Sequence, residues 1–413
     1  MSRLRSIAMV AAMCGLTGIV LLAATARAQQ SPQKLTLGQA LDMAARQNLD
    51  LIAARAQRAV AAAGVRAAGQ RPNPAANFAV LRDDPHEGVF FDLPLEIGSK
   101  RSRRIDLARQ QGALSDDDIA ALERLTRQNA RDTFYVLALA RSSTQAKADA
   151  LKLAQRLQDI AASRFETGDV PQLEVEQAKL DVAQAQADFL VAQQEEKVAL
   201  SALDALLNEP PGTDWELATP LESMPAESPL NDLLTRAGNA NPELERIAQQ
   251  EKIEQSQRAL FQAQRIPNLN LQFGVDMNSP KNFRYGPRGQ INMELPIFSR
   301  NQGEIAESSA SLIALEDQAA ATRRAVDGRV EQAYYELDAR EAQAKLYNGT
   351  LVPAADRLEG MAEESYRAGK ANILAVLDTQ RNVQQVKQAY LQSLFMVQQA
   401  FAQLEETVGA PLD

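Results

Sequence analysis

Residues 268–278 read Asn-Leu-Asn-Leu-Gln-Phe-Gly-Val-Asp-Met-Asn. Leu269, Leu271, Phe273, Val275 and Met277 alternate without a break against Asn268, Asn270, Gln272, Gly274, Asp276 and Asn278. A period of two puts each set on its own face of a strand. Segments of about ten residues with one apolar and one polar face are the signature of a transmembrane β-barrel. An ordinary half-buried sheet gives the same alternation over a single hairpin. Residues 290–297 alternate again, with Ile291, Met293, Leu295 and Ile297 against Gln290, Asn292, Glu294 and Pro296. Two further strand signals lie at 75–82 and 88–96, where Val89, Phe91, Leu93 and Leu95 oppose Phe90, Asp92 and Glu96. Four strands cannot close a barrel, and an open edge in lipid would leave backbone groups unpaired. Strands in a membrane would therefore require several chains, each donating four: two chains give eight and three give twelve.

The two hairpins belong to two copies of one pattern. Arg71-Pro72-Asn73-Pro74 matches Ile266-Pro267-Asn268-Leu269, and Leu93-Pro94-Leu95 matches Leu295-Pro296-Ile297. Phe134-Tyr135 recurs as Tyr334-Tyr335. Phe165, Gly168, Leu173 and Val175 recur as Tyr366, Gly369, Leu374 and Val376. The offset drifts from 193 at Asn48/Asn241 to 195 at Phe78/Phe273 and settles near 201. Each copy reads as helix, two strands, very long helix, turn, helix. The expected organisation is a leader at 1–28, a first repeat at 29–207, a Pro-rich equatorial linker at 208–229 and a second repeat at 230–413.

Arg3 and Arg5 precede an uncharged stretch, and Ala26-Arg27-Ala28 fits a small-x-small cleavage site, so 1–28 reads as a secretory signal peptide. A retained membrane anchor is the alternative. Cys14, the only cysteine, lies in that leader without a lipobox, so the remainder offers no disulfide or thiolate metal site. Removing Arg3, Arg5 and Arg27 from the 44 basic residues leaves 41 against 53 acidic ones, a net charge of −12. That balance argues against nucleic acid as a partner. Aromatic residues make up only 5%, which suits long helices packed through small side chains.

No proline interrupts the chain between Pro94 and Pro171, so a run of about 65 residues after Gly98 can be one helix. At 1.5 Å per residue it would be on the order of 95 Å long, more than one globular domain can enclose. Thr36–Ala68 has helical spacing as well. Gly168 and Pro171 end the long helix and start a return helix to about Leu207, with Pro171 in its first turn. Leu180, Ala183, Ala187 and Leu190 form a narrow 3-4-3 stripe suited to left-handed helix pairing. In the second copy, Asn348-Gly349-Thr350 and Pro353 predict a break or kink. The linker at 208–229, with five prolines and Trp215, reads as irregular.

Two paired hairpins, each followed by a long helix, a Gly-centred turn and a return helix, resemble the TolC family of outer membrane factors over essentially the whole chain. LPLEIGSKR at 93–101 and LPIFSRNQGEI at 295–305 resemble the strand-to-helix junctions of its heavy-metal branch, the CzcC type. The resemblance implies a mainly α fold with a transmembrane β-barrel. In it, long α-helices form a coiled-coil barrel, each protomer adds four β-strands, and a homotrimer closes the wall. It implies a place in the bacterial outer membrane with a large periplasmic extension. The implied partners are outer membrane lipids, a periplasmic adaptor (membrane fusion) protein and an inner-membrane transporter of the resistance-nodulation-division type. Adaptor docking would fall at the tips, at Arg164, Phe165, Gly168 and Leu173 and at Tyr366, Gly369 and Leu374. Leu271, Phe273, Val275, Ile291 and Met293 would face lipid. Asp378 matches one acidic position of the family's periplasmic constriction, Ala375 occupies the other, and Glu174 and Glu176 stand near the first tip.

Catalysis finds little material. The only histidine, His86, sits in Asp83-Asp84-Pro85-His86-Glu87-Gly88, a hairpin-loop composition. Asp116-Asp117-Asp118 reads as a solvated helix face. No phosphate loop, zinc-ligand spacing or Ser/His/Asp set is present, so no enzyme activity, cofactor or metal site is expected. The functional reading is a passive outer-membrane channel of a tripartite efflux pump, exporting divalent heavy-metal cations. Drug efflux, type I protein secretion and a periplasmic coiled-coil adaptor or scaffold are the alternatives.

Overall fold

The computed structural model describes residues 33–83, 85–226, 228–279 and 283–412. The leader at 1–28 and Asp84 lie outside the described residues. In chain order the elements begin β1 (Gln33–Leu35), α1 (Leu37–Gln47), α2 (Leu49–Ala68), β2 (Ala75–Val80), β3 (Glu87–Leu95) and α3 (Lys100–Glu166). They continue α4 (Gln172–Leu207), β4 (Trp215–Leu217), α5 (Leu230–Ala240), α6 (Pro242–Gln264), β5 (Leu269–Ser279) and β6 (Phe283–Met293). The last are α7 (Gln302–Leu346), a π-helical turn (Tyr347–Leu351), α8 (Val352–Arg367) and α9 (Ile373–Val408).

The helical stretch Thr36–Ala68 is two helices. The Asn48 side chain accepts from the backbone N–H groups of Asp50 and Leu51, both at 3.1 Å, and starts α2 as a cap. Asn241 does the same between α5 and α6, accepting from Glu243 N–H at 3.0 Å. Pro171 is the N-cap of α4 rather than a first-turn residue, with ψ 155.

The described residues form two packing units. The first contains 33–42 and 133–223, the second 43–132 and 224–412. In the first unit β1 and β4 pair in parallel, Gln33 opposite Trp215 and Leu35 opposite Leu217. The stretch 208–229 is therefore not wholly irregular. Asp204, itself buried, accepts from Gly212 N–H at 2.8 Å, Thr213 N–H at 3.3 Å and Trp215 Nε1 at 2.9 Å. Arg141 donates to the Trp215 carbonyl at 2.6 Å. A Pro-rich segment with few backbone donors is thus pinned by one carboxylate. Against α3, helix α4 turns Val175, Ala178, Ala192, Ala199, Leu203 and Leu207 inward, not the stripe read from spacing. Of that stripe, Leu180 and Leu190 are exposed. Lys147–Asp188 at 3.2 Å and Thr144 to the Ala192 carbonyl at 3.2 Å fix the face that is used.

In the second unit the strands form one antiparallel sheet in the order β2-β3-β5-β6. Strand β6 starts at Phe283, well before the alternating run at 290–297, and stops at Met293, so Leu295 and Ile297 lie beyond it. Gly286, Pro287 and Gly289 hide its first half from pattern reading, and Pro287 is tolerated because β6 is an edge strand. Arg131, 3% exposed, meets Glu405 at 2.9 Å and stacks on Phe401 with its guanidinium carbon 4.9 Å from the ring centre. Lys387 ties α9 to α8 through Asp356 and Glu359, each at 2.9 Å. Burial works to lower the Lys387 pKa, but these two carboxylates outweigh it and raise it. The break expected at 348–353 is a π turn feeding α8, whose first turn holds Pro353.

Replacing Asp204 by Ala strands three donors, an expected cost of roughly 2–3 kcal/mol. Asp204→Ala should lower the melting temperature and red-shift the emission of Trp215, the only tryptophan. Unchanged emission would show that the carboxylate does not hold the 208–217 segment.

Candidate functional site

The sheet carries the site. Its register aligns Val89 with Val275, Phe91 with Phe273, Leu93 with Leu271 and Leu95 with Leu269. Next to them Ile291 faces Leu271 and Met293 faces Leu269, while Phe78 faces Val89. All these side chains share one face by strand alternation. The face is bare: Phe78 is 77% exposed, Val80 84%, Ile291 70% and Phe273 54%. Phe91 and Phe273 stack upon it with ring centres 5.9 Å apart. So many contiguous large apolar groups mark a surface made for an apolar partner. Strands β2 and β6 each pair on one side only among the described residues.

The opposite face is polar. Asp92 accepts from the Asn77 amide and from Gln272 Nε2, the latter at 2.8 Å. Asp276 lies 3.9 Å from Arg288, whose guanidinium sits 5.3 Å from the centre of the Phe90 ring. Phe90 is 7% exposed although it lies on the polar face. It has room because its neighbours are Gly88 and Gly274, where an added Cβ would come within 2.6 Å of the ring. Pattern reading singled out neither glycine. At the helical end, Glu96 accepts two hydrogen bonds from Arg104, and Lys100 donates to Asn268 at 2.5 Å, tying β3, β5 and the start of α3 together.

The turn after α3, in the first unit, is a Schellman motif. Gly168 has φ +79, its N–H reaches the Phe165 carbonyl at 3.0 Å, and Asp169 N–H reaches the Arg164 carbonyl at 2.9 Å. Arg164 is half-buried, whereas Phe165 and Leu173 stand exposed, Leu173 at 65%. The turn after α8, in the second unit, repeats the motif. Gly369 has φ +72, with Gly369 N–H to the Tyr366 carbonyl at 3.0 Å and Lys370 N–H to that of Ser365 at 2.8 Å. Its side chains differ: Tyr366 is 0% exposed and Leu374 52%. Tyr366 therefore presents no ring to a docking partner in this structure; Leu374 is the apolar group this tip offers.

Asp378 is 72% exposed in its side chain and 3.6 Å from Arg381, one turn on. Glu176 pairs with Lys179 at 2.9 Å, while Glu174 is half-buried. Exposed pairs of this kind contribute little to stability, which leaves the carboxylates of Asp378 and Glu176 available to solvent. Among the described residues no group of three or more His, Cys, Asp or Glu is arranged to hold a metal ion, and no helix is long and apolar enough to cross a membrane.

The family model described as "Outer membrane efflux protein" matches residues 40–209 and 233–410. The chain is 25% identical to the cobalt-zinc-cadmium resistance protein CzcC of Cupriavidus metallidurans, over 91% of this chain and 90% of that one. Its fold is similar to the crystal structure of CusC, with a TM-score of 0.73 at 17% identity, covering 94% of this chain and 96% of that one. It is similar also to the outer membrane protein VceC of Vibrio cholerae, with a TM-score of 0.71 at 16% identity, covering 91% and 97% of the two chains.

The glycines separate two kinds of constraint. A Cβ on Gly168 would meet nothing within 4 Å, so Gly168→Val costs only backbone strain of about 1–2 kcal/mol. It should speed amide exchange at 163–171 and leave the melting temperature within a few degrees. A Cβ on Gly274 would lie 2.2 Å from the Val89 carbonyl oxygen. Gly274→Ala should therefore disrupt the sheet, seen as loss of heat-resistant β-structure by circular dichroism.

Proposed function

Because the chain belongs to the outer membrane efflux protein family, we propose that it is the outer-membrane duct of a tripartite export pump, working passively and catalysing nothing. The observation that carries this reading is the four-stranded sheet with one bare apolar face and two edges that find no partner among the described residues. In lipid those edges must pair, and a second and third copy can supply the partners. A homotrimer would close twelve strands, with Leu271, Phe273, Val275, Ile291 and Met293 against outer membrane lipid and Asp92, Gln272 and Asp276 toward water. The two repeats, 29–207 and 230–413, would extend the wall into the periplasm as helices around the linker at 208–229.

The cargo we infer is a divalent heavy-metal cation. Support comes from the relative whose name states cobalt-zinc-cadmium resistance. Selection would rest with an inner-membrane transporter of the resistance-nodulation-division type, and a periplasmic adaptor would couple it to the duct at the Gly168 and Gly369 turns. Of the tip residues, Phe165, Leu173 and Leu374 would make the contact, with Arg164 beside them. Asp378, with Glu174 and Glu176, would supply negative charge at the periplasmic constriction, where a ring of carboxylates favours cations.

Mass measurement in detergent should give three chains; a stable detergent-free monomer would sink the duct. Phe273→Arg should block assembly, since a lipid-facing Arg near the midplane costs roughly 2–4 kcal/mol, while Gln272→Arg should assemble. Equal tolerance of both would remove the strands from the bilayer.

A strain lacking the chain should lose resistance to cobalt, zinc or cadmium and keep its drug resistance; the reverse pattern would overturn the metal assignment. In single-channel recordings Asp378→Asn should reduce cation preference, more at low salt than at high. Unchanged selectivity at both salt levels would place Asp378 outside the pore.

A further inference from the structure

Charge on the polar face of the sheet is segregated. The described strand positions on that face hold four charged side chains: Asp92 on β3, Asp276 on β5, and Arg284 and Arg288 on β6. Both arginines and Asp276 lie toward the hairpin ends of their strands, where Asp276 is level with Gly88 on one side and Gly286 on the other. Arg288 is held there from two sides, by Asp276 at 3.9 Å and by the Phe90 ring at 5.3 Å. The ring is itself seated over Gly88 and Gly274. Asp92 lies four residues beyond Gly88 along β3, about 13 Å away at strand rise. Its hydrogen-bond donors are two neutral amides, from Asn77 and Gln272. No Lys or Arg comes within ion-pair distance of it among the described residues, and Arg288 is anchored on Asp276 instead.

Two amides that donate to a carboxylate fix its position and stabilise its charge without cancelling it. We propose that Asp92 is a specificity-determining residue of the duct: a fixed negative charge with no cation at its own level, about 20 Å along the strands from Arg284 at strand rise, that favours cations in the part of the membrane-spanning duct where it stands. Asp276 does not share that role, because Arg288, parked on Phe90, neutralises it. The inference rests on the reading that the polar face lines a trimeric lumen, where symmetry brings three Asp92 carboxylates around one aqueous space. It adds a second acidic level to the one proposed at Asp378. Like charges in a narrow channel raise the local cation concentration, over a range set by the ionic strength. A mobile divalent ion would be attracted without being bound, since no ligand set surrounds Asp92 among the described residues.

The test uses the full detergent-purified assembly in planar bilayers, with potassium and chloride as probes and the reversal potential as readout. Asp92→Asn keeps the shape and should lower the cation-to-anion permeability ratio roughly twofold at about 0.1 M salt, and less at about 1 M. Asp92→Glu should hold the ratio near its starting value. Removing the neutral pair together, Asp276→Asn with Arg288→Gln, should leave it unchanged. Should Asp92→Asn not assemble, Asn77→Lys, which places an ammonium beside an intact Asp92, should lower the ratio likewise. A ratio that stays constant in Asp92→Asn and Asn77→Lys, or one that shifts as far in the double variant, would overturn the proposal. Gln272→Cys separates this from the underlying reading, because the only natural cysteine, Cys14, lies in the leader. A charged, water-soluble thiol reagent should modify it and reduce conductance. Failure of that modification would remove the lumen itself, whereas modification combined with an unaltered Asp92→Asn ratio would remove the role of Asp92 alone.

Discussion

A backbone amide in hydrocarbon has no water to turn to. Among the described residues, the four-stranded sheet leaves a row of such groups along one side of β2 and another along one side of β6. The apolar face between those rows draws the sheet toward lipid, and the unpaired rows forbid it to enter alone. Both demands are met when identical chains join edge to edge. In the proposed duct, self-association would then be a condition of reaching the membrane rather than an addition to a finished monomer.

The same logic explains how the sheet meets its helices. Strand β3 runs almost directly into α3 through Gly98, whose positive φ turns the chain, and Glu96, Lys100 and Arg104 tie the corner with charge-assisted hydrogen bonds. A flexible joint there would let the barrel wall and the helical wall come apart. Farther along, the work passes to small side chains and single polar clamps. Asp204 pins a proline-rich segment, and Lys387 bridges two helices with two carboxylates. The two Schellman turns reverse the chain with backbone hydrogen bonds, so the exposed Phe165, Leu173 and Leu374 are free for contact with other molecules.

The strands were legible where each position declared its face, as in 268–278. They were not legible where glycine and proline, at 286, 287 and 289, declare none. The helix break at Asn48 was hidden because a capping asparagine hardly disturbs the apolar spacing around it. Spacing also identified an apolar stripe on α4 but could not say which molecule it meets; within the chain a different face is buried. Phe165 and Tyr366 occupy matching positions in near-identical turns, yet only the tyrosine is enclosed. Phe90, lodged among glycines on the polar face, breaks the alternation rule for a reason visible only once the three strands lie side by side.

The π turn at Tyr347–Leu351 matches a difference in length between the two copies. Phe134 and Tyr334 stand 200 positions apart, whereas Phe165 and Tyr366 stand 201 apart, as do the starts of α4 at Gln172 and α9 at Ile373. The second of the two matching stretches is therefore one residue longer between those landmarks. The first copy crosses the same interval as uninterrupted α-helix, and the second contains the π turn. A π turn is the form in which a helix absorbs one surplus residue, swelling locally so that everything beyond keeps its original rotational phase. The turn thus takes up the extra residue by widening one loop of the spiral instead of rotating the rest of the hairpin out of alignment.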